Sequence, residues 1–383
     1  MRKIGIYIHI PFCKQKCSYC DFVSFPKDKS IQEQYIQALI KEIKERKIEL
    51  QNLQEECQAS TVYVGGGTPS YIEANAIKQI LEEIKQVYRI ENDAEFTIEM
   101  NPGTISEEKL RIYKESGINR ISIGLQTTQD NLLKQIGRIH TYEQFLENYK
   151  LARKLGFSNI NVDLMIGLPN QNMKNVEESI ERVIKLNPEH ISVYSLILEE
   201  GTKLYEQYLK NELELPTEEM ERDMYWKVKE KLEKAGYRQY EISNFAKQGK
   251  ESKHNLACWN QKEYLGFGLA AHSYLENTRY SNTEDIEEYM KNIELGKLTK
   301  NRILHETQTE EDKRKEYMLL GLRKIEGVSI SKFKEKFVQN PLFLFRKELN
   351  RLVEENLITV ELDQIKLTPK GLNLANIVWE EFV

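Results

Sequence analysis

The sequence predicts an α/β protein: a parallel sheet built from repeated strand–helix units, then an accessory segment and a small helical domain. Three observations predict it. Short β-rich apolar runs alternate with amphipathic stretches, giving six units at a period of about 30 residues, the length of one βα unit. Three of the five cysteines crowd into one loop after the first run. Near the C-terminus the pattern changes to three helical segments and a hairpin.

The six apolar runs are Ile4–Ile10, Thr61–Val64, Phe96–Met100, Ile121–Leu125, Ile160–Met165 and Ile191–Tyr194. Between the first two, residues 30 to about 50 place Ile31, Tyr35, Ile36, Leu39, Ile40 and Ile43 at helical spacing among charges. The second run ends in Gly65-Gly66-Gly67-Thr68-Pro69 and leads into an amphipathic stretch carrying Ile77, Ile80, Leu81 and Ile84. Right-handed crossovers follow from this alternation. Polar residues stand at several strand ends: Glu99, Gln126, Asp163 and Ser195. Residues 218–236 form a further helix. Residues 240–280 are rich in Gly, His and aromatics without clear period, which predicts loops and short strands lying against the barrel. After Thr307 come helical segments around Leu319, Phe333 and Leu352, then Leu357–Val360 and Ile365–Thr368 across an Asp-Gln turn. That order resembles a winged helix.

The chain has 383 residues and is 40% hydrophobic, enough for a large domain with a smaller one beside it. Its net charge of −5 is spread among mixed acidic and basic residues. No broad cationic surface argues for nucleic acid, so the winged-helix-like block is expected to pack or bind a partner rather than DNA. Cysteine usage does not resemble a secreted disulfide framework, and no segment approaches a membrane span. The expectation is a soluble cytoplasmic protein without an integral membrane segment. Cys57 falls in a polar helix-to-strand connection and receives no role.

Cys13, Cys17 and Cys20 leave the C-terminal end of the first predicted strand, where α/β folds place their chemistry. Three thiolates in one short loop imply a metal. An iron–sulfur cube normally takes four cysteines, so three would leave one iron open to an exogenous ligand. The loop favours iron–sulfur, and its spacing also admits a structural zinc completed by His9 or a distant residue.

The Cys-x3-Cys-x2-Cys spacing resembles the signature of the radical S-adenosylmethionine (SAM) superfamily. The flanking Tyr7-x-His9-Ile10-Pro11-Phe12-Cys13 and Tyr19 are similar to the branch that holds oxygen-independent coproporphyrinogen III dehydrogenase and the HemW heme chaperones. The resemblance implies a partial (β/α)6 TIM-like barrel over residues 1–210, an accessory segment over 211–300 and a winged-helix-like domain over 301–383. It implies a [4Fe-4S] cluster on Cys13, Cys17 and Cys20 whose open iron chelates SAM. SAM contacts carried over residue by residue are Tyr7, Gly66, Gly67, Thr68, Glu99, Gln126, Arg138 and Asp163, with Tyr19 beside the cluster. They stand in matching contexts: Glu99-Met100-Asn101-Pro102, Gly124-Leu125-Gln126, Gly137-Arg138-x-His140 and Asp163-Leu164-Met165-x-Gly167-Leu168-Pro169. A carboxylate suits ribose hydroxyls or an ammonium, and an arginine suits a carboxylate. Glu99 and Asp163 could instead pair as general acid and base, but nothing nearby supplies a nucleophile.

Two departures favour the chaperones over the dehydrogenase. The dehydrogenase carries a fourth cysteine where this chain reads Cys20-Asp21-Phe22, and it has a long arm before its cluster loop. His254-Asn255-Leu256-Ala257-Cys258-Trp259 resembles the branch's heme-associated H-N-x-x-Y-W motif, with Cys258 in place of tyrosine. His254 is therefore the heme-ligand candidate, and His272 is read as structural or pocket-lining. The expected function is a heme chaperone that passes heme to an acceptor apoprotein, with a reduced flavodoxin or ferredoxin-type electron donor. Whether it turns SAM over as an enzyme stays open. The alternatives are radical decarboxylation of coproporphyrinogen III and a zinc-stabilised interaction protein.

Overall fold

A computed structural model describes residues 2–52 and 57–383. Six parallel strands, β1 (Arg2–Ile10), β2 (Cys57–Gly66), β3 (Arg89–Met100), β4 (Arg120–Gln126), β5 (Ile160–Ile166) and β6 (His190–Ser195), lie side by side in chain order. Their crossovers carry α1 (Lys29–Asn52), α2 (Ala74–Val87), α3 (Glu107–Glu115), α4 (Asp130–Gln135), α5 (Tyr142–Lys154) and α6 (Met173–Leu186). The expected partial barrel is present, and it is open.

Side chains alternate along each strand, so one face of the sheet packs on the helices and the other lines the barrel. Ile4, Ile6, Ile8 and Ile10 go outward to α1 and α2, whose Ile77, Ile80, Leu81 and Ile84 form the buried stripe. The inward set is polar: Tyr7 and His9 on β1, Thr61 and Tyr63 on β2, Thr97 and Glu99 on β3, Arg120 and Ser122 on β4, Asn161 and Asp163 on β5. A concave face this rich in hydrogen-bonding groups is built for a ligand rather than for a core.

Past β6 run α7 (Lys203–Leu209) and α8 (Glu218–Lys234), then β7 (Arg238–Glu241), β8 (Asn244–Ala246), α9 (Lys253–Trp259), β9 (Tyr264–Phe267), β10 (His272–Leu275), β11 (Thr278–Asn282), α10 (Ile286–Glu294) and β12 (Arg302–Thr307). The expectation of loops and short strands against the barrel needs correction. These strands extend the sheet itself to twelve, in the order β12-β11-β10-β9-β1-β2-β3-β4-β5-β6-β8-β7. At three to six residues each, they are too short for a period to show. Cys57 is also corrected: it is the buried first residue of β2.

The extension is tied to the barrel by one buried carboxylate. Glu42 on α1 accepts from the Gly268 amide at 2.8 Å, Tyr289 Oη at 2.7 Å and Asn282 Nδ2 at 2.7 Å, with buried Arg46 at 3.5 Å.

The remaining chain has its own core around Met318, Phe333, Leu349, Leu352, Ile365 and Phe382. It comprises α11 (Glu310–Gly321), β13 (Val328–Ser329), α12 (Ile330–Phe337), α13 (Pro341–Leu344), α14 (Arg346–Glu354), β14 (Ile358–Glu361), β15 (Gln364–Leu367), α15 (Pro369–Asn373) and α16 (Ala375–Glu380). Strands β13, β15 and β14 form a separate sheet, the wing. The Arg323 guanidinium lies between the rings of Trp259 on α9 and Trp379 on α16, 4.4 and 4.5 Å from their centroids. Cation–π contacts on both faces thus join this block to the barrel.

Removing the buried Glu42 carboxylate should leave the Gly268 amide, the Asn282 amide and the Tyr289 hydroxyl short of their buried acceptor and cost about 1–3 kcal/mol or more. Glu42→Ala is therefore expected to unfold at clearly lower urea than wild type, and an unchanged midpoint would contradict the network's role.

Candidate functional site

The cysteine loop follows β1 directly. Its course is set by hydrogen bonds that continue the β1–β2 pairing past the strands: the Gly67 amide donates to the Ile10 carbonyl and the Thr68 amide to the Phe12 carbonyl, both at 2.9 Å. Phe12, fully buried, fills the space below with edge contacts to Phe25 and Tyr35. On the far side the Ser18 amide donates to the Ile136 carbonyl at 3.0 Å, and the Leu204 amide to the Ser18 carbonyl at 2.8 Å. The loop is held from three directions.

Two glycines make this fit possible. Gly66 has φ +107°, and a Cβ there would stand 2.7 Å from the His9 ring. A Cβ on Gly67 would stand 2.9 Å from the Phe12 carbonyl and 3.0 Å from Cys13 Sγ. Any side chain would push the loop off the sheet.

Cys13 is buried, and Cys17 and Cys20 are half-buried; all are free thiols. Burial pushes the Cys13 and Cys20 thiols above their ordinary value. Cys13 Sγ lies 3.3 Å from Thr68 Oγ1, and Arg138 Nη1 lies 3.6 Å from Cys17 Sγ. Tyr19 packs with Ile136, Met165, Leu168 and Leu196 under the loop. Among the described residues, no three His, Cys, Asp or Glu side chains converge as a single metal ion requires. His9, the candidate fourth zinc ligand, is engaged on both nitrogens: Nδ1 with Tyr7 Oη at 3.1 Å and Nε2 with the Val23 carbonyl at 2.9 Å. With both ring nitrogens engaged, His9 is not placed to complete a mononuclear Cys3His site.

The strand-end residues surround this loop on the concave side. Glu99 accepts from Tyr63 Oη at 2.7 Å and from the Gly66 amide at 3.2 Å, which ties β3 to the glycine turn. Burial raises its carboxyl to about 7, with Asp163 adding to the rise and Tyr63 and Arg120 opposing it. Asp163 accepts from Ser122 Oγ at 2.9 Å and Asn161 Nδ2 at 2.7 Å, and burial raises its carboxyl too. Arg138 donates to Asn101 Oδ1 at 2.7 Å and to the Gly124 carbonyl. Its buried Nε has no hydrogen-bond partner among the described residues, an unspent donor suited to an anionic ligand group. Gln126 sits at the end of β4 with φ +71°, a backbone conformation costly for a residue with a side chain and characteristic of functional sites. The bare Gly124 leaves room for Arg138, Asn101 and Gln126 to meet, each 3.0 Å from where its Cβ would be.

The structure thus brings Tyr7, Gly66, Gly67, Thr68, Glu99, Gln126, Arg138 and Asp163 to one face with the three cysteines. His254 lies elsewhere. It sits on α9 against the N-terminal half of the barrel, its Nδ1 2.8 Å from Thr61 Oγ1, its ring tilted on Tyr63 and its amide donating to Glu95. It is buried, and its imidazole is lowered to about 4 by burial and then by Arg120. Cys258 on the same helix is pushed up to about 11 by burial. Sequence reasoning missed Tyr63, Asn101 and Arg120. Tyr63 could have been found from strand alternation, being the β2 neighbour of Tyr7 on the inward face.

Residues 7–183 match the Radical SAM superfamily model and residues 308–374 the HemN C-terminal domain. The chain is 42% identical over 378 residues to the heme chaperone HemW of Bacillus subtilis, covering 98% of each chain. It is 38% identical over 377 residues to that of Lactococcus lactis, covering 98% of this chain and 96% of the relative. The solved structure of coproporphyrinogen III oxidase (HemN) from Escherichia coli, a radical SAM enzyme, superposes with a TM-score of 0.85 at 22% identity, covering 100% of this chain and 90% of that one, which is a likeness of fold.

Because the Glu99 carboxyl is raised, the apoprotein loses stability as pH climbs from its ordinary 4.5 through about 7, and the loss is complete above that. Glu99→Gln should remove this slope. Relative to wild type it should gain on the order of 2–3 kcal/mol between acid and alkaline pH, the size of such a shift after screening by the open lumen. Urea midpoints measured across that range test it; a pH-independent difference would contradict the assignment.

Proposed function

Since the chain belongs to the radical SAM superfamily and within it to the HemW family, we propose that it is a heme chaperone that binds a [4Fe-4S] cluster, SAM and heme and passes heme to an acceptor apoprotein. The observation that carries this reading is the likeness to HemW heme chaperones along 98% of both chains. Cys20-Asp21-Phe22, lacking the fourth cysteine of the dehydrogenase pattern, agrees with it.

Cys13, Cys17 and Cys20 would hold the cluster. The Gly66-Gly67-Thr68 turn would present backbone groups to the methionyl end of SAM, Arg138 would offer its unspent Nε to the carboxylate, and Glu99 and Asp163 would receive ammonium or ribose hydroxyls. A bound cluster would supply a single electron to SAM. This chain's part is to orient SAM, to keep the thiolates half-shielded from water and to hold two carboxylates whose charge depends on pH. Reduced flavodoxin or ferredoxin would be the donor. No helix among the described residues is long and apolar enough to cross a membrane.

Two measurements test the reading. Cys17→Ser should lose the brown absorbance of thiolate-bound iron–sulfur, whereas a brown, stoichiometric variant would place the cluster elsewhere. Reconstituted wild type should bind heme tightly and form no vinyl groups from coproporphyrinogen III with SAM and reductant. Vinyl formation would make the chain a decarboxylating enzyme instead.

A further inference from the structure

The heme-chaperone reading needs an iron ligand that heme can reach, and His254 is buried against Thr61 and Tyr63. A different histidine stands in the open. Tyr7 on β1 pairs with Gly266 on β9, Tyr264 with Tyr274 on β10, and His272 with Ser281 on β11, so His272 and Ser281 share the inward face with Tyr7. Ile303 on β12 pairs with Ser281, and His305, the bulge residue between Leu304 and Glu306, turns its ring to Ser281 and His272. The rings of His272 and His305 stack with centroids 5.1 Å apart and planes 12° from parallel.

Both histidines are exposed, and the His272 backbone lies against Gly266, level with Tyr7 on β1. Gly268, four residues before His272, sits close enough to β1 that a Cβ would touch the His9 carbonyl, and His272 bears on the titration of His9. Thr61, the partner of His254, lies two residues further down β2 than Tyr63, the residue level with Tyr7 and Gly266, about 7 Å at strand rise. His305 is fixed by its Nε2, 2.9 Å from Ser281 Oγ. His272 makes no hydrogen bond through either ring nitrogen among the described residues. Beside the pair, Ile303 is 46% exposed, an apolar surface on the same face.

We propose that His272, braced by the parallel ring of His305 at the open edge of the sheet, is the axial ligand for the iron of heme. Partial burial of the ring, then His305 and Arg279, hold the His272 imidazole below its ordinary value, so its lone pair is free at neutral pH. Ile303 offers a wall for the macrocycle. The assignment rests on the heme-chaperone reading and moves iron ligation from the His254 motif to the barrel mouth. The shared chemistry is an imidazole-seeking metal, whose source is either heme or a free divalent ion.

The test uses the full chain with its cluster reconstituted, titrated separately with hemin, iron-free protoporphyrin IX and zinc(II). Wild type should take hemin with a shifted Soret band. His272→Ala should bind it at least roughly tenfold more weakly with an altered band, while cluster absorbance and SAM affinity stay unchanged. Imidazole added to His272→Gly should restore the wild-type band, and His254→Ala should keep it. Protoporphyrin should bind wild type and His272→Ala alike, since it lacks the iron. The proposal is overturned if His272→Ala keeps wild-type hemin affinity and spectrum, including the case in which it loses zinc(II) alone and the pair proves a free-ion site. Failure of wild type to bind hemin at all would instead overturn the chaperone reading and this assignment with it.

Discussion

The two amide donors of Gly67 and Thr68, satisfied by the carbonyls of Ile10 and Phe12, decide where the cysteines stand. They extend parallel pairing beyond the end of β1, so the chain leaves the sheet held against the glycine turn instead of swinging into solvent. Everything else at the site follows from that position. The thiols come to rest beside Thr68 and Arg138, Glu99 reaches the Gly66 amide, and the ends of β3, β4 and β5 face the same space. The constraint is steric as much as electrostatic, because only a residue without Cβ lets the His9 ring and the Phe12 carbonyl approach so closely.

Inside the barrel, the inward polar residues form a charge-balanced lining. Glu99 and Asp163 are both pushed toward protonation by burial, and Arg120 opposes that push on each. A cationic ligand entering the lumen would add to the effect of Arg120 and favour the ionised carboxylates. The helix α9 closes the other end of this lining through His254 and Thr61, and its last residue, Trp259, meets Arg323 of the C-terminal block. The His-Asn-x-x-Cys-Trp motif therefore spans the junction between the barrel floor and the winged block, a position that explains its composition without requiring that every member touch a ligand.

Much of the architecture was legible because long strands and helices leave periodic traces. The six runs from Ile4 to Tyr194 stand where the parallel strands form, and Ile77, Ile80, Leu81 and Ile84 mark the buried stripe of α2. The sheet extension was not legible, since β7 to β12 are too short for alternation and their pairing is decided by contacts such as those of Glu42 with Gly268, Asn282 and Tyr289. Within the site, spacing and flanking residues pointed to the cysteines and to the strand-end positions that lie together here. Motif reading drew attention to His254 without showing that it is buried, because a motif carries no information on burial. The open stacked pair of His272 and His305 arises from strands far apart in sequence and has no local signature.

The central claim is that the three cysteines hold a cube with one iron left for SAM. The direct measurement is electron paramagnetic resonance of the anaerobically reconstituted, reduced protein with and without SAM, alongside iron, sulfide and zinc content. The account predicts iron and labile sulfide in equal amounts and a cluster signal whose g-values move when SAM is added. Zinc without sulfide, or a cluster signal indifferent to SAM, would contradict it.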